Sequence, residues 1–427
     1  MNHKFLKYLP ALIVCTLVVA STTASVVIAK KIEQPTEINS LEDLQNIHNN
    51  LSGYYVLSCD IDMAKEQGNG EEFSGWKPLG TKDNPFTGRI DFNYHMISNL
   101  YFCENYLSEQ FKNTDEVLVG FLGYSTGTII HANFYKPLLP DFSNYLYGDK
   151  NVIYGTACAY NDGYVTTCSV SIVGNTNAIK GNNITFGSLV GVNNKQVMIG
   201  KVLNTISANV SGNSVVGGII GRSNPSSINS YLFRGGYNSF VYKGINSFVF
   251  GGIIGIADGA KINNAYFGSS EKSGGKQSII VGFESIKSNS VFVGGAIGRT
   301  LFTSLRTSMV NVCVNNDISI DSLINSCYVG GLVGNGDANS ITISSCVFGG
   351  SISCATTSDS GIITQSLVIN ESSKSYYLSS CIYPDNCNLE YASEIDFLNL
   401  SLNNLGWPTN TERGYWSKES DYFYLNI

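Results

Sequence analysis

The chain has 427 residues, 14% of them charged, with 44 glycines, 9 prolines and a formal net charge of −7. That length fits one long repeat domain or two to three ordinary ones. The turn-rich, charge-poor composition excludes a mainly helical enzyme, and the lack of a basic stripe excludes nucleic acid as a partner.

At the N-terminus Lys4 and Lys7 precede an apolar run from Leu9 to Val19 and a small-residue stretch from Ala20 to Ala24. Residues 1–29 therefore read as a signal peptide or an N-terminal membrane anchor, the only part expected to meet a membrane. Either way the chain is expected to be secreted or on the cell surface. Residues 30–110 read as a leader and N-terminal cap with the first coils. Within them Ser40-Leu41-Glu42-Asp43 predicts a helix start, and Leu41, Leu44, Ile47 and Leu51 share a helical face.

Residues 111–390 are written in repeats. VGFLG at 119–123, GSLVG at 187–191, GGIIG at 217–221 and 251–255, GGAIG at 294–298 and GGLVG at 330–334 align on their last glycine. The motif glycines are Gly123, Gly191, Gly217, Gly221, Gly251, Gly255, Gly294, Gly298, Gly330 and Gly334. Before each last glycine stands a large aliphatic: Leu122, Val190, Ile220, Ile254, Ile297 or Val333. YGTACA at 154–159 and SGIIT at 360–364 are weaker copies, bringing the intervals to about 30–43 residues.

A second column pairs an aliphatic with a residue three further on. It reads Ile129–Ala132, Val165–Cys168, Ile199–Val202, Ile228–Tyr231, Ile262–Ala265, Val310–Cys313, Ile343–Cys346 and Leu378–Cys381. Two short strands per repeat cannot bury their inner face alone. Stacked repeats pair each strand with its equivalent about 4.8 Å away and turn the aliphatic columns into ladders. The expected fold is all-β: a parallel β-helix, or solenoid, with short N- and C-terminal capping helices. An up-and-down sandwich or barrel is the alternative. Glycine recurring in register implies a bend, a close backbone approach, or a corner needing positive φ. Residues 391–427 read as the C-terminal cap, with Ser393-Glu394-Ile395-Asp396 opening a second helix and an aromatic tail (Trp407, Tyr415, Trp416, Tyr422, Phe423, Tyr424) folding over the last coil.

The motif column resembles the GLUG motif of bacterial surface proteins. INSLEDLQNIHNNLSGYYVLSCDIDM, WKPLG, FTGRID and HMISNLYF over 38–102 resemble that family's leader, and EIDFLNLSLNNLGW resembles its ending. The resemblance implies a right-handed parallel β-helix on a secreted or surface, adhesin-like protein, a module also found beside immunoglobulin A protease domains. It carries no catalytic motif. The chain departs from the family in one turn, where Asp91-Phe92-Asn93-Tyr94-His95 replaces an Asp-Gly-Asn-Gly-His pattern.

Candidate chemistry is sparse. The histidines are His3, His48, His95 and His131, none of which begins an HExxH. His95 reads as a turn or surface residue. Asp162, Asp258 and Asp337 follow the motif and read as turn formers; as paired glycosidase carboxylates the first two are spaced too widely, at about 14 Å, and the last two are marginal at best, at about 10 Å. Asp60 and Asp62 share a strand face where calcium could sit, with Asp83 or Asp91 nearby. Turn formation is the preferred reading, and no metal or cofactor is expected.

Eleven cysteines include Cys15 in the export segment. Cys313, Cys346 and Cys381 fall in one column and read as small buried thiols, their parallel Cβ vectors opposing bridges. Cys381–Cys387 and Cys346–Cys354 are the better disulfide candidates. The expected function is an exported, non-enzymatic surface β-helix that presents loops for adhesion to host or cell-surface glycans or proteins. A carbohydrate-active lyase or hydrolase on the same scaffold is the first alternative. A peptide-binding sheet edge is the second.

Overall fold

The computed structural model describes residues 34–361 apart from 65–72, 146–149, 173–177, 205–206, 236–237, 243–246, 269–276, 284–289, 321–326, 337–339 and 355–358, and beyond them strands at 376–378, 393–395, 416–418 and 423–425. The chain divides into residues 1–36 and 37–427, and the second unit holds the fold. The export segment lies outside the described residues.

The second unit is mostly β, and its three large sheets are parallel. The aliphatic residues before the motif's last glycine form an unbroken ladder: Leu122↔Cys158, Cys158↔Val190, Val190↔Ile220, Ile220↔Ile254, Ile254↔Ile297 and Ile297↔Val333. All are at most 1% exposed, so each repeat buries its aliphatic on the one below. The weak copy at 154–159 contributes Cys158 to this ladder. The strands before the motif form an eight-stranded sheet and those after it a seven-stranded sheet.

A second ladder runs through the third and largest sheet: Ile90↔Ile129↔Val165↔Val197↔Ile228↔Ile262↔Met309↔Ile343. Two members of the sequence column are corrected here. Val197, not Ile199, and Met309, not Val310, occupy the ladder. The residue two after the aliphatic is left-handed in most of these coils, as at His131 (φ 54), Thr167 (φ 54), Asn264 (φ 54), Asn311 (φ 57) and Ser345 (φ 54). That corner interrupts strand alternation, so apolar spacing alone misplaces the register.

The motif glycines answer to close approach, not to positive φ; the glycines with positive φ are elsewhere, at 75, 80, 181, 212 and 259. A Cβ on Gly251 would lie 1.8 Å from the Ile254 carbonyl oxygen, and one on Gly294 1.8 Å from that of Ile297. The four-residue corner is too tight for any side chain. The closing glycine has a different reason: a Cβ on Gly298 would sit 2.6 Å from Val249 Cγ1 and 2.5 Å from the Phe250 carbonyl oxygen. Outward side chains of one strand thus lean over the glycine of the next and fill the space a side chain there would take.

The first coils hold an aromatic core. Trp76 and Phe121 stack at 5.0 Å, the Trp76 indole N–H donates to the Phe121 carbonyl at 2.9 Å, and Phe92 meets Phe134 edge-on at 5.3 Å. The expected capping helices are only partly matched. Leu41–Asn46 is a six-residue helix whose N-cap Ser40 accepts from the Asp43 amide. Ser393–Ile395 is instead a strand, paired in parallel with Tyr376–Leu378, because the stack of equivalent strands extends to it. A helix unforeseen in the sequence, Glu104–Asn113, buries Leu107 and Phe111 one turn apart. In the tail, Trp416–Lys418 pairs antiparallel with Phe423–Leu425, and the latter strand meets Ala260–Gly268.

Candidate functional site

Most of the candidate residues named from the sequence are structural. Asp162 accepts from the Tyr124 hydroxyl and from Asn194 Nδ2 (2.6 Å), and Asn224 continues the row by donating to Asn194 at 2.6 Å. Asp258 is buried and accepts from the Thr303 amide (3.1 Å) and hydroxyl (2.6 Å). Both carboxylates tie one repeat to another. Asp337 lies outside the described residues. Asp62 accepts from Asn99 Nδ2 at 2.7 Å and from the Ala64 amide at 3.1 Å. Among the described residues no group of three or more His, Cys, Asp or Glu side chains is arranged to hold a metal ion.

The cysteine column is also corrected. Cys313 pairs with Val347 and so stands one position away from Cys346. Cys59, Cys103, Cys158, Cys168, Cys313 and Cys346 form no disulfide, so the expected Cys346–Cys354 bridge is absent, and Cys381 and Cys387 lie outside the described residues. Burial pushes the Cys168 and Cys346 thiols up to about 12.

The distinctive site lies in the turn Asp91-Phe92-Asn93-Tyr94-His95, where the residue types alone point to no ligand. Asn93 (φ 47) and Tyr94 (φ 65) are left-handed although neither is glycine. For a tyrosine this conformation costs about 1–2 kcal/mol. The turn is closed by the His95 amide on the Phe92 carbonyl (2.7 Å) and by the Asn93 amide on Asp91 Oδ1 (2.8 Å). It leaves the Tyr94 side chain in the open: the residue is 71% exposed and its ring stacks on His131, centroids 4.3 Å apart and planes 25° apart.

His131 is held from below. Its Nδ1 meets Asp91 Oδ1 at 3.0 Å, and Asp91 also takes Arg89 Nη2 at 3.5 Å. With Nδ1 committed to the carboxylate, Nε2 is the ring atom left for a ligand. Burial on its own would raise the Asp91 pKa, but hydrogen bonds from His131, the Asn93 amide and Arg89 outweigh it and hold the carboxyl below its ordinary value of 3.8. A second pair flanks the first. His95 Nδ1 meets Asp60 Oδ1 at 3.2 Å, and the Met96 amide donates to the same oxygen at 2.9 Å. Arg89 lies 4.9 Å from the Tyr54 ring centroid. The face thus carries an exposed aromatic ring, two imidazoles and two carboxylates. Such a set can stack on an apolar ligand face and exchange hydrogen bonds with hydroxyls.

A separate cavity of about 430 Å³ is lined by Phe111, Phe142, Tyr145, Lys150 and Lys180 among others. Its cations are already paired, Lys150 with Asp115 at 3.0 Å and Lys180 with Asp141 at 2.9 Å.

No family model and no curated protein matches the chain. The solved structures to which the chain is similar include these two. One is described as a "putative immunoglobulin A1 protease from Bacteroides ovatus", at 17% identity and TM-score 0.44, covering 92% of this chain and 93% of that one. The other is described as an IgA1 protease, at 14% identity and TM-score 0.36, covering 87% of this chain. The chain spans only 22% of that second protein's length. The expectation of a protein without enzymatic activity does not stand beside these names, and it is withdrawn.

Proposed function

We propose that the chain is a right-handed parallel β-helix of a secreted or surface, adhesin-like protein resembling the GLUG-motif group, and that it recognises glycans through the Tyr94 face. The in-register ladders support the β-helix. The observation carrying the function is Tyr94: an exposed ring on strained backbone, laid on a histidine that a carboxylate orients. Strain of this kind collects at binding and catalytic sites. A flat ring beside hydroxyl-bonding groups suits a pyranose, whose C–H face stacks while its rim hydroxyls reach Nε2 of His131 and the neighbouring carboxylates.

The test is a glycan array probed with the full-length protein and with Tyr94→Ala. Specific binding that the substitution abolishes supports the reading. Binding untouched by it, or none to any glycan, overturns the reading.

A further inference from the structure

The corner made by the motif glycines recurs from repeat to repeat, and two cations, Arg222 and Arg299, directly follow its closing glycines Gly221 and Gly298. Arg222 and Arg299 belong to one outward row of the seven-stranded sheet, with Ile256 between them: Arg222↔Ile256↔Arg299. The Nε of each is buried without a hydrogen-bond partner. Among the described residues Arg222 forms no ion pair, and the Arg299 guanidinium has only the ring of Phe292, 4.8 Å away. Phe292 itself stacks on Tyr328 at 5.0 Å and 9°. In a chain with seven more acids than bases, two guanidinium groups without a carboxylate are unexpected.

We infer that this corner binds a linear acidic glycan lying along the repeat axis, with one anionic group on each arginine and a sugar face against the partly exposed Tyr328. The two arginines are two strand spacings apart, about 9.6 Å. That spacing suits a polymer with its charges set apart along the chain. A polyphosphate is far more densely charged than this spacing matches. Guanidinium fits carboxylate or sulfate in a two-pronged hydrogen bond and stacks on aromatic faces, and here the arginine row of one sheet meets the aromatic row of the next at Arg299 and Phe292. The inference stands on residues remote in sequence from Tyr94 and holds whether or not that face binds.

The experiment measures binding of the full-length protein to hyaluronan, polygalacturonate and heparin, with oligo-dT alongside, at low and physiological salt. The double substitution Arg222→Gln/Arg299→Gln is expected to weaken binding of at least one of these glycans by about tenfold or more. Ile256→Glu, which keeps both arginines and sets a carboxylate between them, is expected to weaken it similarly and guards against a folding defect in the double variant. Tyr94→Ala separates this site from the other, because it leaves Arg222 and Arg299 in place. Absence of binding to all three glycans, affinities unchanged in both variants, or tighter binding of oligo-dT would each overturn the inference.

Discussion

Tyr94 rests its ring on His131, 37 residues further along the chain, with centroids 4.3 Å apart, while its own backbone is left-handed at φ 65. The contact joins a turn of one repeat to the corner of the next. It also separates stability from function. Tyr94→Gly relieves a left-handed side chain worth about 1–2 kcal/mol and removes an exposed ring contact of about 0.5–1.5 kcal/mol. The variant is expected to be as stable as the parent within about 1 kcal/mol in urea denaturation, yet to lose glycan binding. A loss of several kcal/mol would make Tyr94 a structural residue.

Acid should weaken this face in a defined direction. The Asp91 carboxyl is held below its ordinary value of 3.8 in the folded chain. A depressed pKa gives stability that is present above the unfolded value and is lost as pH falls through the folded one. Melting temperatures measured through that acid range should fall less steeply for Asp91→Asn than for the parent. Parallel curves would show that the Asp91–His131 pair contributes nothing to the acid response.

The glycine corner makes a sharper demand. If Gly251 served only flexibility, Gly251→Ala would stabilise by about 0.4–1 kcal/mol through the unfolded state. The structure puts the new methyl 1.8 Å from the Ile254 carbonyl oxygen. The expected outcome is a loss of about 3 kcal/mol or more, read from chemical denaturation. An unchanged midpoint would contradict the close approach.

Thiol reactivity checks the interior. Cys158, Cys168, Cys313 and Cys346 are buried and their pKa values are raised by burial, while Cys59 is partly exposed. A thiol reagent should label Cys59 in the native protein and reach these four only after unfolding, as peptide mass mapping would show. Rapid native labelling of Cys168 or Cys346 would place them outside the core.

The architecture is legible in the residues because the ladders are literal. Ile220 and Ile254 occupy the same place in two written motifs and pair in the structure. The second column is less legible, since a left-handed corner beside it breaks the alternation from which register is read. Val310 shows the effect: apolar spacing puts it in the ladder, and Met309 fills that place. The reason for the glycines is equally hidden, because a close approach to the Ile254 carbonyl depends on coordinates and not on residue type. The Tyr94 face joins residues from separate repeats. Its one sequence signal is the turn with Phe92 and Tyr94 in place of the family's glycines, which points to a constrained backbone but not to His131.

The central claim is that equivalent residues lie directly above one another from repeat to repeat. Leu118, Ile153, Thr185, Val215, Val249, Phe292 and Tyr328 form one outward row by successive pairings. Spin labels at positions 118 and 249, four pairings apart, and at 118 and 328, six apart, measure this row by pulsed electron paramagnetic resonance. Backbone separations of about 19 Å and about 29 Å, rising by about 4.8 Å per pairing, are expected. Separations that do not grow with the number of repeats, as a sandwich or barrel would give, contradict the account.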